Sequence, residues 1–137
     1  AGSPERLADA LDRKGDTTFV KKGAKPDAFL DILTIHAGKC SVHVIRLITG
    51  KKHQIRAQLS SRGFPILGDA RYGSKHKLPD GAIALHCLCM GFIHPVKKEP
   101  LAITAPLPSY IADAAGETID PQTIIDLFGG IAGDHGA

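Results

Sequence analysis

Lys51, Lys52, His53, Gln54 and Arg56 follow Thr49-Gly50 within one short stretch and offer the most chemistry in the chain. A β-rich run ends at that glycine turn, and a short helix opens after it. Ammonium groups, a guanidinium and planar ring and amide donors are thereby gathered at a helix start, where backbone N–H groups already favour anions. Such a set suits a phosphate-rich partner or a carboxylate that has to stay ionised. Downstream, Gly68-Asp69-Ala70-Arg71-Tyr72-Gly73 adds a turn carrying an acid, a base and an aromatic ring. Arg56 stands beside Ile55 and one turn from Leu59, so its guanidinium starts at the edge of a core and needs an anion there. Asp69 is one structural partner and a catalytic carboxylate is another; the residues alone leave both open.

Other chemistries lack their residues. Thr49-Gly50-Lys51-Lys52 invites comparison with a phosphate-binding P-loop, but the earlier glycine is missing and no Ser or Thr follows the lysine. No His, Cys and Asp share a metal-ligand spacing. Ser60-Ser61 has no nucleophile-elbow context. His86, among Leu, Cys and Met, reads as a hydrogen-bonded core histidine. Cys40, Cys87 and Cys89 are odd in number and not spaced as a disulfide framework, so they read as free thiols in a reducing compartment. That points to an intracellular protein of the cytoplasm or an organellar matrix. Cys87 and Cys89 are expected on one face of a strand.

Charge is distributed unevenly. Residues 51–77 hold seven Lys and Arg against the single acid Asp69, a net +6, whereas the rest of the chain holds ten basic and thirteen acidic residues. The whole chain is only +3, so the positive excess sits in one segment, as a nucleic-acid footprint or a solvated basic loop would.

The elements that must position these groups fit a single compact domain of 137 residues with an ordinary hydrophobic share of 43%. With no Trp and few aromatics, its core rests on Ile, Leu, Val and Ala. No apolar run is long enough to span a membrane, and the N-terminus has no signal-peptide pattern. Residues 3–14 read as a helix with Leu7, Ala8, Ala10 and Leu11 on its apolar side, broken at Gly15-Asp16. Residues 17–26 are basic and irregular, with an extended piece at Thr17–Val20. Strands are expected over Ala28–Ala37 and Ser41–Thr49, joined at Gly38-Lys39. The second strand is apolar on both faces and is expected inside a sheet. His53–Arg62 fits a helix ended by Gly63. Ala82–His94 reads as a long strand closed by Pro95, and Leu101–Ala105 as its partner. Helical stretches follow near Tyr110–Ala115 and Pro121–Phe128, then a frayed glycine-rich end, Gly129–Ala137. The expected class is α+β, with a mixed, mainly antiparallel sheet and short flanking helices. Three segments result: an N-terminal helix and entry segment (1–27), a central body (28–108) and a helical tail (109–137).

Thr49-Gly50-Lys51-Lys52-His53-Gln54-Ile55-Arg56-Ala57-Gln58-Leu59 resembles the TGR-x-HQIR-x-x-L signature of RluA-type pseudouridine synthases. Gly63-x-Pro65-Ile66-x-Gly68-Asp69-x-x-Tyr72-Gly73, Leu85-His86-Cys87, Phe92-Ile93-His94-Pro95 and Ala105-Pro106-x-Pro108 follow in the family's order. The resemblance runs from Leu30 to Pro108, so it makes 28–108 the C-terminal portion of a catalytic domain. It implies isomerisation of uridine to pseudouridine in structured ribosomal or transfer RNA, with no cofactor and no metal. It further implies that Arg56 pairs with a nucleophilic Asp of an upstream HRLD-type motif. Lys51, Lys52, His53, Gln54, Arg71, Lys75 and Lys77 would then face RNA, and Leu85 the substrate pocket. The target uridine must leave its stack for the glycosidic bond to be reached. Two departures matter. Lys51 replaces the usual Arg, keeping charge but losing the bidentate fork. No HRLD motif occurs in the chain, and Leu11-Asp12-Arg13 is no substitute, so the chain alone is expected to be inactive. The alternative is a noncatalytic RNA-binding or ribosome-assembly module derived from such an enzyme.

Overall fold

The computed structural model describes residues 3–37, 40–116 and 119–128. These fall into two compact units, Ala1–Ala84 and Leu85–Ala137. This division falls after residue 84, whereas the segments read from sequence divide after residues 27 and 108. The N-terminal segment is built into the first unit by strand pairing, and the tail belongs with the second.

The first unit is organised around one long strand. Strands β1 (Glu5–Asp9), β4 (Ala28–Ala37) and β5 (Ser41–Leu47) form an antiparallel sheet in the order β1-β4-β5. Strands β2 (Leu11–Lys14) and β3 (Thr17–Val20) make a separate hairpin across Gly15-Asp16. Residues 3–14 are thus two strands rather than the expected helix. A helix of about twelve residues is marginal in isolation, whereas in β1 Leu7 pairs with Leu30 and buries against it. The inner strand is β4, not β5 as expected. Val44 of β5 is buried opposite its partner Leu33, so both faces of β5 are used with only one neighbouring strand among the described residues. The Gly38-Lys39 turn lies outside the described residues.

Alternation along β4 sends Leu30 and Ile32 to one face and Asp31 and Leu33 to the other. On the first face Leu7, Leu30, Leu59 and Ile66 form the core, with Ile32, Ile45, Ile55, Ile83 and Ala84 packed around them. Leu30 is fully buried, which contributes about 2–3 kcal/mol. On the other face, Arg6, Asp31 and Arg46 stand abreast across the three strands. Arg6 donates to both oxygens of Asp31, and Arg46 Nη2 to Oδ2 at 2.9 Å. The hydrogen bond from Arg6 holds the Asp31 carboxyl below its usual range against the opposing effect of burial, with Arg46 adding to it. Helix α1 (Gln54–Ser61) lays Ile55 and Leu59 on the core and ends at Gly63, where φ is +82°.

In the second unit β6 (Cys89–Ile93) and β7 (Pro100–Thr104) pair antiparallel, followed by α2 (Ser109–Ala115) and α3 (Pro121–Leu127). The expected long strand 82–94 is confined to its last third. Ile83 and Ala84 instead pack on the first unit's core in irregular backbone, with Ala84 N–H donating to the Leu67 carbonyl. Cys87 therefore precedes the strand, and its thiol donates to the Cys89 carbonyl rather than sharing a strand face. His86 is half-buried and hydrogen-bonds the Ala105 carbonyl through Nε2 at 3.1 Å. The Gly129–Ala137 end lies outside the described residues.

Candidate functional site

The loop entering α1 is fixed from within by Gln54. Its Oε1 accepts from the Lys51 N–H at 3.0 Å and the Thr49 hydroxyl at 2.9 Å, while its Nε2 donates to the Phe29 carbonyl at 3.0 Å. Thr49 Oγ1 in turn accepts from the Phe29 N–H. Gln54 is buried, so its expected place facing RNA is corrected: the amide ties the Thr-Gly turn to the start of β4, the inner strand. Neutral hydrogen bonds of this kind are each worth about 1 kcal/mol, and losing one buried partner costs more.

Arg56 comes off the first turn of α1 onto Asp69. Nε donates to Oδ2 and Nη2 to Oδ1, both at 2.8 Å, a bidentate pair. Asp69 is 1% exposed and the Arg56 side chain 20%. Of the two partners open to Arg56, Asp69 is the one in place. The Nε–Nη2 edge of Arg56 is thereby occupied by a partner within the chain. The bond to Asp69 holds the guanidinium proton more tightly than usual, against the effect of burial.

Asp69 can reach Arg56 because Gly68 adopts φ +85° and lies flat on neighbouring backbone: a Cβ there would fall 2.2 Å from the Ala82 carbonyl oxygen. The short turn Ala70–Tyr72 then brings Tyr72 back under Arg56, whose guanidinium carbon lies 4.8 Å from the ring centroid. Tyr72 is buried, and its hydroxyl accepts from the Thr18 N–H at 2.9 Å and sits 2.8 Å from His53 Nδ1. The His53 and Tyr72 rings meet edge to face. His53 itself is the residue before α1, at φ +53°, an uncommon conformation for a side chain other than glycine. Burial lowers its pKa, and Arg56, Lys52 and Arg71 lower it further, with Asp69 opposing them. The imidazole is accordingly neutral at neutral pH.

Around this pair runs an exposed basic rim. Lys51 lies 4.0 Å from Asp27 and Lys52 3.4 Å from Asp16, while Arg71 reaches the Asp16 carbonyl at 3.5 Å. Such exposed contacts are worth about 0–1 kcal/mol, so they leave the cations available to a stronger anion. Lys75 and Lys77 are exposed on the loop that follows. The structure therefore brings Lys51, Lys52, His53, Arg56 and Arg71 to one region of the first unit. Leu85 is exposed and opens the second unit. Tyr72 and Thr18 carry the site's internal bonding but had no role assigned from sequence. Tyr72 sits inside the quoted Gly68–Gly73 motif, which was a usable signal; for Thr18, distant in sequence, no local signal exists.

No family model matches the chain. It is 41% identical over 76 residues to ribosomal large subunit pseudouridine synthase D of Xanthomonas campestris, covering 46% of this chain and 23% of that protein. It is 34% identical over 87 residues to an uncharacterized RNA pseudouridine synthase of Synechocystis, covering 58% of this chain and 30% of that protein. The chain thus spans less than a third of the length of these curated relatives. In three dimensions it is similar to the human RNA pseudouridylate synthase domain containing 1, with a TM-score of 0.68 at 18% identity, over 97% of this chain and 62% of that one. That likeness establishes the fold and bears out the mixed α+β expectation.

Proposed function

Because the chain belongs to the RluA-type pseudouridine synthase family, we propose that it is part of an enzyme that converts uridine to pseudouridine in ribosomal or transfer RNA. The reaction breaks the bond from C1′ to N1 of the uracil and joins C1′ to C5, which then gives up its proton. N1 takes up a proton in its place, so the net change is an isomerisation. The protein's task is to hold a nucleophile, an extruded base and the flanking phosphates in register.

The observation that carries the reading is the bidentate Arg56–Asp69 pair set inside a basic rim. Asp69 fixes the Nε–Nη2 edge and Tyr72 supports the guanidinium face, so Nη1 is presented in a fixed direction to a second carboxylate. In this reading that carboxylate is the family's nucleophilic Asp, carried on sequence outside these residues. A carboxylate beside a fixed guanidinium stays ionised and oriented for attack at C1′. Lys51, Lys52, Arg71, Lys75 and Lys77 grip the phosphates on either side. The compartment is intracellular, where RNA is found and where the free thiols Cys40, Cys87 and Cys89 stay reduced.

The test uses the native polypeptide from its source cells. Its intact mass is expected to exceed that of these 137 residues, with an Arg-Leu-Asp segment in the added sequence. It is expected to release tritium from C5-labelled uridine in ribosomal or transfer RNA, with Arg56→Ala slowing release by about 100-fold. A native polypeptide that leaves the label in place on both RNA classes removes the catalytic reading.

A further inference from the structure

We propose that His53 reads RNA as a fixed hydrogen-bond donor through its Nε2 edge, and that buried Tyr72 is the residue that positions it. The inference rests on the RNA reading above and specifies how one residue of that site acts.

The geometry sets the direction of the bonds. Tyr72 Oη accepts the Thr18 N–H, a backbone donor that cannot turn away. The phenolic hydrogen is then free to point at His53 Nδ1, 2.8 Å off, which makes Nδ1 the acceptor and places the imidazole hydrogen on Nε2. The reverse arrangement would load the phenol oxygen with two donors and leave its own hydrogen unused. Nε2 has no hydrogen-bond partner among the described residues. The edge-to-face packing of His53 on Tyr72 holds the ring plane, and the left-handed backbone at His53 aims it. Strain at a non-glycine residue that packing over-determines is a mark of functional positions.

The groups facing His53 argue against a cationic role. Lys52 precedes it, Arg56 stands on α1, Arg71 on the turn after Asp69, and Tyr72 beneath it; Asp69 is the opposing charge and is already held by Arg56. A proton added to His53 would sit among three cations. The rim therefore divides its work. Lysines and arginines meet phosphate charge, while His53 offers a directed N–H to a neutral oxygen of the nucleotide, on the base or the ribose. Such a donor discriminates by geometry, because the wrong group leaves it unpaired.

Binding of the 137-residue chain to a uridine-containing RNA stem-loop, titrated across salt concentrations, tests this. His53→Ala is expected to weaken binding about fivefold with the salt slope unchanged, since no charge is lost. His53→Gln, which keeps a neutral N–H near the same place, is expected to recover most of the affinity. Lys52→Ala is expected to lower the slope by about one. Imidazole nitrogen NMR of the free protein should show Nδ1 unprotonated and Nε2 protonated, a signature that Tyr72→Phe abolishes while the chain stays folded by circular dichroism. A fall in salt slope for His53→Ala overturns the proposal, as does unchanged affinity or a Tyr72→Phe spectrum like that of wild type. If wild type and Lys52→Ala both fail to bind at low salt, it is the RNA reading itself that falls. The tautomer spectrum stands independently of it.

Discussion

At the scale of single residues, the site turns on how Arg56 is neutralised. A guanidinium at the core boundary is costly unless matched, and Asp69 matches it with two parallel bonds at 2.8 Å while being almost wholly buried itself. Breaking such a pair from one side is worse than never having it, because the surviving charge stays buried. Asp69→Asn is therefore expected to lower stability by about 3 kcal/mol, read as a shift in the urea midpoint at constant slope. Replacing both partners with apolar residues, Arg56→Met with Asp69→Leu, should recover much of that loss, so the two changes are strongly non-additive. Additive costs would mean that the pair contributes little. The need of Arg56 for an anion was readable from its neighbours Ile55 and Leu59, and Asp69 was one of two candidates. Gln54 was misread. An amide at a helix start looks like a surface contact, and only the distant Phe29 backbone, invisible in local spacing, turns it inward.

At the scale of elements, what could be read depended on whether an element's cause was local. β4 matched its expected bounds, and β3, β5, β7, α1, α2 and α3 fell within a few residues of theirs, because alternation, helical spacing, glycine stops and prolines are written in the segments themselves. β1 and β2 were missed because their cause is elsewhere. Leu7 and Ala8 are good helix formers, and only pairing with Leu30 and Phe29 makes the segment a strand. The same holds for Ile83 and Ala84, apolar like a strand but used as core-filling loop. Gly68 shows how narrowly one turn is specified. Both Gly63 and Gly68 have φ above +80°, but a Cβ at Gly63 meets nothing within 4 Å, whereas at Gly68 it meets the Ala82 carbonyl at 2.2 Å. Gly63→Ala is expected to cost about 1 kcal/mol, the left-handed penalty alone. Gly68→Ala adds displacement of backbone and is expected to cost at least about 2 kcal/mol more. Thermal unfolding of the two variants side by side checks this. Equal losses would show that the segment at Ala82 yields freely and does not clamp the Asp69 turn.

At the scale of the whole molecule, the fold extends further than sequence identity does. The likeness to a solved synthase domain covers 97% of the chain, while identity to pseudouridine synthase D of Xanthomonas covers 46%. The division into two units was not readable, because it depends on which strands pair across long separations. The charge asymmetry was readable from composition and survives folding: Lys51, Lys52, Arg71, Lys75 and Lys77 all stay exposed on the first unit. A polyanion bound there must release counterions in proportion to the cations it meets. RNA affinity of the chain should therefore fall linearly with salt on logarithmic axes, and Lys51→Ala with Lys52→Ala should flatten that slope by about two. Lys97→Ala with Lys98→Ala, which removes the same charge from the second unit, should leave the slope nearly as it was. Net charge alone would make the two pairs equivalent, since each lowers the chain's +3 by the same amount. A local interface makes them differ. Equal slopes for both pairs would mean that RNA is held by diffuse attraction, and the rim around Arg56 would lose its claim to be where the nucleic acid lies.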